Sequence, residues 1–296
     1  MESLVEIRKI LVPVDYSDCS FLACRYAFRI ASLANAEVKL LHAFYSPAYD
    51  LIELTGNKST QAKLREDVTS KLIVTERETM QQFREKLSSL PEVKKFGKDK
   101  LHIEINPGTA REEIARIAEE YSPDLIVMGT RGADKKESSV VGSVTEFVIK
   151  KLKYPVFAVP ENYQFVGNEA LRGVAYLTDF DETDFVSIKK LMGFTRLLGL
   201  TIYCVHIGGK TDNWERLKMD GLREYFVKTY NEQKVECEIL TPSENILQSI
   251  DEYVREKKIN ILSLTTRRRN IIEKLIKPSL TRRLFYHTSI PMLVFH

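Results

Sequence analysis

Three glycines and a serine near the middle of the chain have the spacing of a phosphate-binding loop. Gly129, Gly132, Gly142 and Ser143 lie in the segment G-T-R-G-A-D-K-K-E-S-S-V-V-G-S-V-T. Because glycine has no Cβ, backbone N–H groups there can approach a polyphosphate closely. The hydroxyls of Ser143 and Thr145 would add donors at a helix N-terminus, whose dipole favours negative charge. The spacing alone also fits three glycines that only build a mobile loop.

The loop differs from the common nucleotide fingerprints, since the sequence has no GxxxxGK[ST] and no GxGxxG after its first predicted strand. G-x-S-x-G, HExxH and paired-carboxylate motifs are absent as well. No general base, nucleophile or metal cluster is therefore visible beside the loop. We predict neither catalytic residues nor protein metal ligands, with slow hydrolysis of a bound ligand as the alternative.

The sequence contains an internal repeat, which shows how these residues are positioned. K-I-L-V-P-V-D, ending at Asp15, aligns with G-V-A-Y-L-T-D, ending at Asp179, and the same offset aligns His42 with His206. Later, D-L-I-V-M-G-T-R aligns with N-I-L-S-L-T-T-R, and the changed offset predicts a deletion between the second and third strands of the second half. We expect both histidines to be packed structural residues.

Each half alternates short Val-, Ile- and Leu-rich runs with segments of helical period, as βαβ units do. The pattern predicts an α/β fold of two tandem repeats, each an open five-stranded parallel sheet with helices on both faces. In the first repeat, the predicted strands are 8–15, 37–44, 100–106, 125–129 and 156–159. The predicted helices are 20–33, 62–90, 111–121 and 143–152. The predicted domains are 1–160 and 171–296, joined by a polar linker.

Ligands of open parallel sheets bind beyond the carboxyl ends of the strands, where the strand order reverses. Asp15 follows the first predicted strand and the glycine-rich loop follows the fourth. We therefore expect Asp15 and the loop to lie at one site.

The motif G-x2-G-x9-G-[S/T] after D-L-I-V-M, together with V-P-V-D at the first strand, resembles the ATP-binding class of universal stress proteins. The resemblance covers both halves, so the chain looks like a tandem member. It implies a Rossmann-like, adenine-nucleotide-binding fold, ATP as cofactor with Mg²⁺ on its phosphates, and a role in the stress response. The implied site residues are Pro13, Val14, Asp15, Met128, Gly129, Arg131, Gly132, Gly142, Ser143, Val144 and Thr145.

The second half departs from this motif at every glycine. Thr265, Arg268 and Pro278 stand where the three glycines were, and proline has no N–H to donate. We therefore expect a degenerate domain without a second nucleotide site. A basic run follows from Arg267, which is either a solvated loop or a surface for an anion or acidic partner. Universal stress proteins commonly pair through the last strand, which implies a pseudo-dimer of 156–159 with 292–295, and a homodimer as a further assembly.

Composition limits the possible partners. The formal charge is +3, from 44 Lys and Arg against 41 Asp and Glu, which gives no overall attraction to nucleic acid or a membrane. Without an apolar span or signal peptide, we expect a cytoplasmic protein. Four irregularly spaced cysteines predict ordinary reduced thiols. An interaction scaffold for an unknown protein partner, without nucleotide, remains an alternative.

Overall fold

The computed structural model describes residues 5–54, 57–132, 142–161, 163–164, 171–208, 213–232, 234–241, 246–266 and 290–296, apart from the side chain of residue 98. Three parts of the sequence interpretation lie outside these residues. They are most of the predicted linker, the middle of the glycine-rich loop, and the basic run that includes Arg268 and Pro278.

The first repeat alternates strands and helices in the predicted order. Its elements are β1 (Lys9–Pro13), α1 (Asp18–Ala34), β2 (Glu37–Phe44), α2 (Ala48–Glu53), α3 (Lys58–Ser88), α4 (Pro91–Lys94), a 3₁₀ turn (Lys98–Lys100), β3 (Leu101–Pro107), α5 (Ala110–Tyr121), β4 (Leu125–Gly129), α6 (Ser143–Lys151) and β5 (Val156–Val159).

The second repeat follows the same plan with fewer helices in its described part. Its elements are β6 (Gly173–Leu177), α7 (Glu182–Leu198), β7 (Thr201–Ile207), α8 (Asn213–Tyr230), β8 (Val235–Leu240), α9 (Ile246–Glu256), β9 (Ile261–Thr265) and β10 (Met292–Phe295). The 18-residue α8 stands where the first repeat has the 31-residue α3, which places the expected shortening between the second and third strands.

One ten-stranded sheet runs through both repeats in the order β3-β2-β1-β4-β5-β10-β9-β6-β7-β8. Within each repeat the five strands are parallel, while β5 and β10 pair antiparallel, with Leu293 opposite Phe157. The predicted fold class is therefore confirmed, and the expected pairing of the last strands is present.

Apolar side chains cover both faces of this sheet and continue across the junction. On one face α1 contacts α7, and the rings of Phe157 and Phe194 lie 5.7 Å apart between the repeats. Strands such as β4 are buried on both faces, which explains why their sequences are unbroken apolar runs. Among the described helices, none combines the length and apolarity needed to cross a membrane.

Local signals explain where the helices near the site begin. Ser17 caps α1 by accepting a hydrogen bond from the N–H of Ser20, and Thr109 caps α5 in the same way through Glu112. β1 ends at Pro13, earlier than predicted, and the chain turns at Tyr16, whose φ of 64° is left-handed.

Candidate functional site

A cleft of about 310 Å³ lies at the carboxyl ends of β1 and β4, next to the start of α6. Its volume falls within the range of small-molecule sites. The structure brings all the predicted site residues together around it: Pro13, Val14, Asp15, Met128, Gly129, Arg131, Gly132, Gly142, Ser143, Val144 and Thr145.

Gly132 and Asp15 face each other across the mouth of the cleft. A Cβ added at Gly132 would lie 2.6 Å from Oδ2 of Asp15, so only glycine fits here without movement. The other carboxylate oxygen, Oδ1, accepts hydrogen bonds from the N–H and Oγ of Ser17, at 3.1 and 2.6 Å. The start of α1 thereby fixes the orientation of the Asp15 carboxylate.

Gly129 lies against the first turn of α1. A Cβ at this position would be 2.6 Å from the sulfur of Cys19, whose pKa is raised by burial. The hydroxyl of Thr145 donates to the carbonyl of Gly129 at 2.9 Å. The expectation that this hydroxyl adds a donor toward phosphate is therefore wrong for the geometry observed, since its proton holds β4 to α6.

The first turn of α6 supplies the donors expected of an anion site. Gly142 is the N-cap residue and makes no side-chain cap, while its own N–H donates to the carbonyl of Thr130 at 2.7 Å. The N–H groups of Ser143, Val144 and Thr145 belong to the first turn of α6, whose N–H groups have no acceptor within the helix itself. An anion at the cleft can accept hydrogen bonds from this turn.

Arg131 brings a positive charge to the same place. Its Nη1 lies 3.2 Å from Oε2 of Glu161, and both side chains are about two-thirds or more buried. Arg131 also lines the cleft, as Gly132 does. Its guanidinium is therefore held by Glu161 at the edge of the loop.

The cleft is also lined by five residues that the sequence motif did not identify. They are Ser20, Leu41, Ala43, Ala110 and Ile114. The apolar ones come from β2 and α5 and form a wall beside Met128. The motif holds no signal for these five residues, because they lie on α1, β2 and α5 rather than in the loop or at the end of β1.

The two repeated histidines form the same contacts in both repeats. Nδ1–H of His42 donates to the carbonyl of Val14 at 2.8 Å, and His206 donates to Thr178 in the same way. Each ring stacks on an aromatic residue with left-handed φ, at a centroid distance of 4.3 Å. Both repeats share this arrangement, so each histidine holds the end of a strand and is not specific to a ligand of one repeat. The expectation of packed structural histidines is confirmed.

In the second repeat, side chains occupy the position equivalent to Gly129. Thr265 Oγ1 lies 2.9 Å from the hydroxyl of Tyr176, which donates to Oδ1 of Asp184 at 2.7 Å. Thr178 donates to the other oxygen of Asp184 at 2.6 Å. Burial raises the pKa of Asp184, whereas these hydrogen bonds lower it. Thr265 at the end of β9 belongs to this polar cluster. The second repeat therefore lacks the position without a side chain that Gly129 provides at the end of β4.

Within the described residues, no group of three His, Cys, Asp or Glu side chains is placed to hold a metal ion. The cleft nevertheless suits a phosphate ester, since Gly132 and Gly142 line it without side chains and the first turn of α6 has no side-chain cap. A metal accompanying such a ligand would depend on the oxygens of its phosphates.

Comparison with known proteins identifies the family to which this fold belongs. The model of the universal stress protein family matches residues 6–160. Universal stress protein MJ0531 of Methanocaldococcus jannaschii is 33% identical over 155 residues, covering 51% of this chain and 81% of its own. Universal stress protein Slr1230 of Synechocystis is 21% identical and covers 98% of this chain and 100% of its own.

A universal stress protein from Archaeoglobus fulgidus shares the whole fold. It superposes with a TM-score of 0.67 and 18% identity, covering 97% of each chain. The two-repeat architecture therefore occurs in a solved structure. With the family match over more than half of its length, this chain belongs to the universal stress protein family.

Proposed function

We propose that the first repeat binds ATP in the cleft between β1, β4 and α6, as a regulatory ligand in the stress response. The phosphates lie against Gly129, Gly132 and the first turn of α6, and the adenine lies toward the apolar wall. The observation that carries this proposal is the convergence of the predicted loop and strand-tip residues on one cleft of suitable size. Mg²⁺, when bound with the nucleotide, neutralises phosphate charge.

The charges of the cleft fit the parts of such a ligand. The N-terminus of α6 and Arg131, although Arg131 also pairs with Glu161, offer N–H donors to a polyphosphate. Asp15, held by Ser17, presents a carboxylate that can accept hydrogen bonds from ribose hydroxyls. Apolar side chains of Leu41, Met128 and Ile114 offer a surface for a base.

The second repeat is proposed as a degenerate partner domain, with domains at 1–160 and 171–296. Thr265 and the Asp184 cluster occupy the place of Gly129, which argues against an equivalent phosphate loop. We propose binding rather than turnover, because the described part of the cleft holds no arranged base and nucleophile.

Isothermal titration of the full chain with Mg–ATP tests the proposal, using the two repeats as matched controls. Wild-type protein should bind one ATP per chain. Asp15→Asn removes a charge-assisted acceptor worth about 1.5–3 kcal/mol, which predicts roughly 10- to 100-fold weaker binding. Asp179→Asn changes the equivalent residue of the second repeat and should leave the affinity unchanged.

Three results would contradict the proposal. Absence of binding by the wild type favours the interaction scaffold, and equal loss in both variants places the site elsewhere. Rapid steady-state hydrolysis of ATP that disappears in Asp15→Asn would show that the cleft catalyses hydrolysis and does not only bind the nucleotide. Mass spectrometry of nucleotide released from the purified protein identifies the ligand directly.

A further inference from the structure

Two cysteines lie opposite each other in the second repeat, on the last two strands of the sheet. Cys204 of β7 and Cys237 of β8 are direct partners in the strand register. In-register neighbours in a parallel sheet project to the same face, and both side chains belong to the core beside α8. Cys204 is fully buried and Cys237 is partly exposed.

The shared register places the two thiols side by side, and their mutual hydrogen bonding raises the pKa of Cys204 and lowers that of Cys237. Neighbouring strands lie about 4.8 Å apart, within the Cα separation of roughly 4.4–6.8 Å that disulfides span. β8 is the outermost strand and pairs only with β7 among the described strands. It can therefore move toward β7 without disturbing a second strand.

The first repeat shows what packing requires at this place. Its β2 and β3 carry Leu40 and Ile103 in the same register, and these two side chains also pack in the core. Aliphatic side chains thus satisfy the sheet and the helix above it. The pair of thiols in the second repeat is an addition that packing does not demand.

The surroundings make the two thiols unequal. The hydrogen bond from Cys204 and the nearby Arg223 lower the pKa of Cys237, against burial and Asp220, which raise it. The hydrogen bond to Cys237 and burial raise the pKa of Cys204, with smaller contributions from Cys237 and Asp184. Cys237 is therefore the more thiolate-like and more accessible sulfur, and it attacks electrophiles first.

We propose that Cys204 and Cys237 form a reversible disulfide when the protein meets a peroxide. The sulfur of Cys237 attacks the peroxide, so that an S–O bond forms, the O–O bond breaks, and hydroxide leaves and takes up a proton. The sulfur of Cys204 then attacks the resulting sulfenic acid. The S–S bond forms, the S–O bond breaks, and water leaves with the thiol proton.

The other two cysteines serve as internal controls. Cys19 and Cys24 lie on α1, both are buried, and burial raises the pKa of each thiol. They are five residues apart on one helix and do not face each other. The proposal therefore predicts selective oxidation of two of the four thiols.

The test treats the reduced full-length chain with hydrogen peroxide, alkylates the remaining thiols and maps the products by mass spectrometry. We expect an intrachain Cys204–Cys237 linkage, alkylated Cys19 and Cys24, and full recovery of the four thiols with dithiothreitol. Circular dichroism before and after oxidation verifies that the chain stays folded.

Two variants carry the residues that the first repeat has in the same register. Because those residues pack well there, each variant is expected to fold. Cys237→Ile should abolish oxidation at low peroxide, whereas Cys204→Leu should leave Cys237 to accumulate as sulfenic or sulfinic acid. The proposal is overturned if wild-type Cys237 also stops at sulfinic acid, if the linkage joins two chains or includes Cys19 or Cys24, or if all four thiols stay reduced.

Discussion

A methyl group added at Gly129 would lie 2.6 Å from the sulfur of Cys19 and 3.0 Å from its carbonyl carbon. Because one of these atoms is backbone, α1 itself must move to make room. At Gly142 an added Cβ would lie 3.5 Å from the carbonyl oxygen of Thr130, an ordinary contact. The two loop glycines thus have different roles, one in helix packing and one in leaving the helix start open.

Gly129→Ala should therefore destabilise the protein by about 1–3 kcal/mol, the usual cost of overpacking a closely packed site. Gly142→Ala should change stability much less, because its φ of −62° suits any residue and its Cβ meets no clash. Urea unfolding of the two variants beside the wild type measures the difference. Equal midpoints for Gly129→Ala and Gly142→Ala would show that α1 does not constrain β4.

The site could be predicted from the sequence where a rule of the fold brings distant residues together. Asp15 and the glycine-rich loop follow the first and fourth predicted strands, and ligands of open parallel sheets bind at those strand ends. Leu41 and Ile114 reach the cleft from β2 and α5 through tertiary packing, for which the motif holds no signal. The hydroxyl of Thr145 donates to the carbonyl of Gly129 at the end of β4, which depends on how α6 packs beside β4 rather than on sequence spacing.

At the scale of elements, strand positions followed from apolar runs. β4 and β5 have the predicted bounds because their burial on both faces leaves continuous apolar runs, and β2 has them although its sequence EVKLLHAF includes charged residues. Helix α3 begins earlier than predicted because Asn57 caps it through the N–H of Thr60, ahead of the apolar period. Its buried residues lie only toward its C-terminal end, so periodicity could not mark where it begins.

The start of α7 differs from the start of α1 by a buried carboxyl. Asp184 replaces Ser20 and accepts hydrogen bonds from Tyr176, Thr178 and the N–H of Asp181. Burial is nevertheless the largest influence and raises the pKa of Asp184 above its ordinary value of 3.8. The folded state therefore holds this proton more tightly than the unfolded state does.

Stability contributed by Asp184 should therefore be complete below about pH 3.8 and be lost as the pH rises through its raised folded pKa. The unfolding free energy of the wild type minus that of Asp184→Asn should decrease over that interval and then stay constant. Urea unfolding at a series of pH values measures this difference. Glu182→Gln, at an exposed acidic position of the same helix turn, is the control. A difference between wild type and Asp184→Asn that increases with pH would contradict the burial argument.

On the scale of the whole molecule, the two repeats share a sheet and its cores. The repeat alignment places Phe157 and Leu293 at equivalent positions, and the structure pairs these two residues with each other. Met292 pairs with Ala158 and Val294 with Val156, so the register is centred on a pseudo-twofold axis. A register of this kind is self-complementary, as in an isologous dimer.

A fragment of residues 1–160 should therefore form a homodimer through β5. Removing the second repeat exposes Val156–Val159, four apolar residues that are fully buried in the intact chain. An uncovered apolar edge strand tends to pair with another chain, and the register of the intact protein would place Phe157 opposite Phe157 of a second copy.

Sedimentation equilibrium measures the assembly, with Phe157→Lys as the matched variant, because a charge at the edge opposes pairing. The expected result is a folded dimer for the fragment and a monomer for Phe157→Lys. A folded monomeric fragment, or a dimer that Phe157→Lys does not disrupt, would contradict the prediction. Either result would show that β5 does not need a paired strand at this edge.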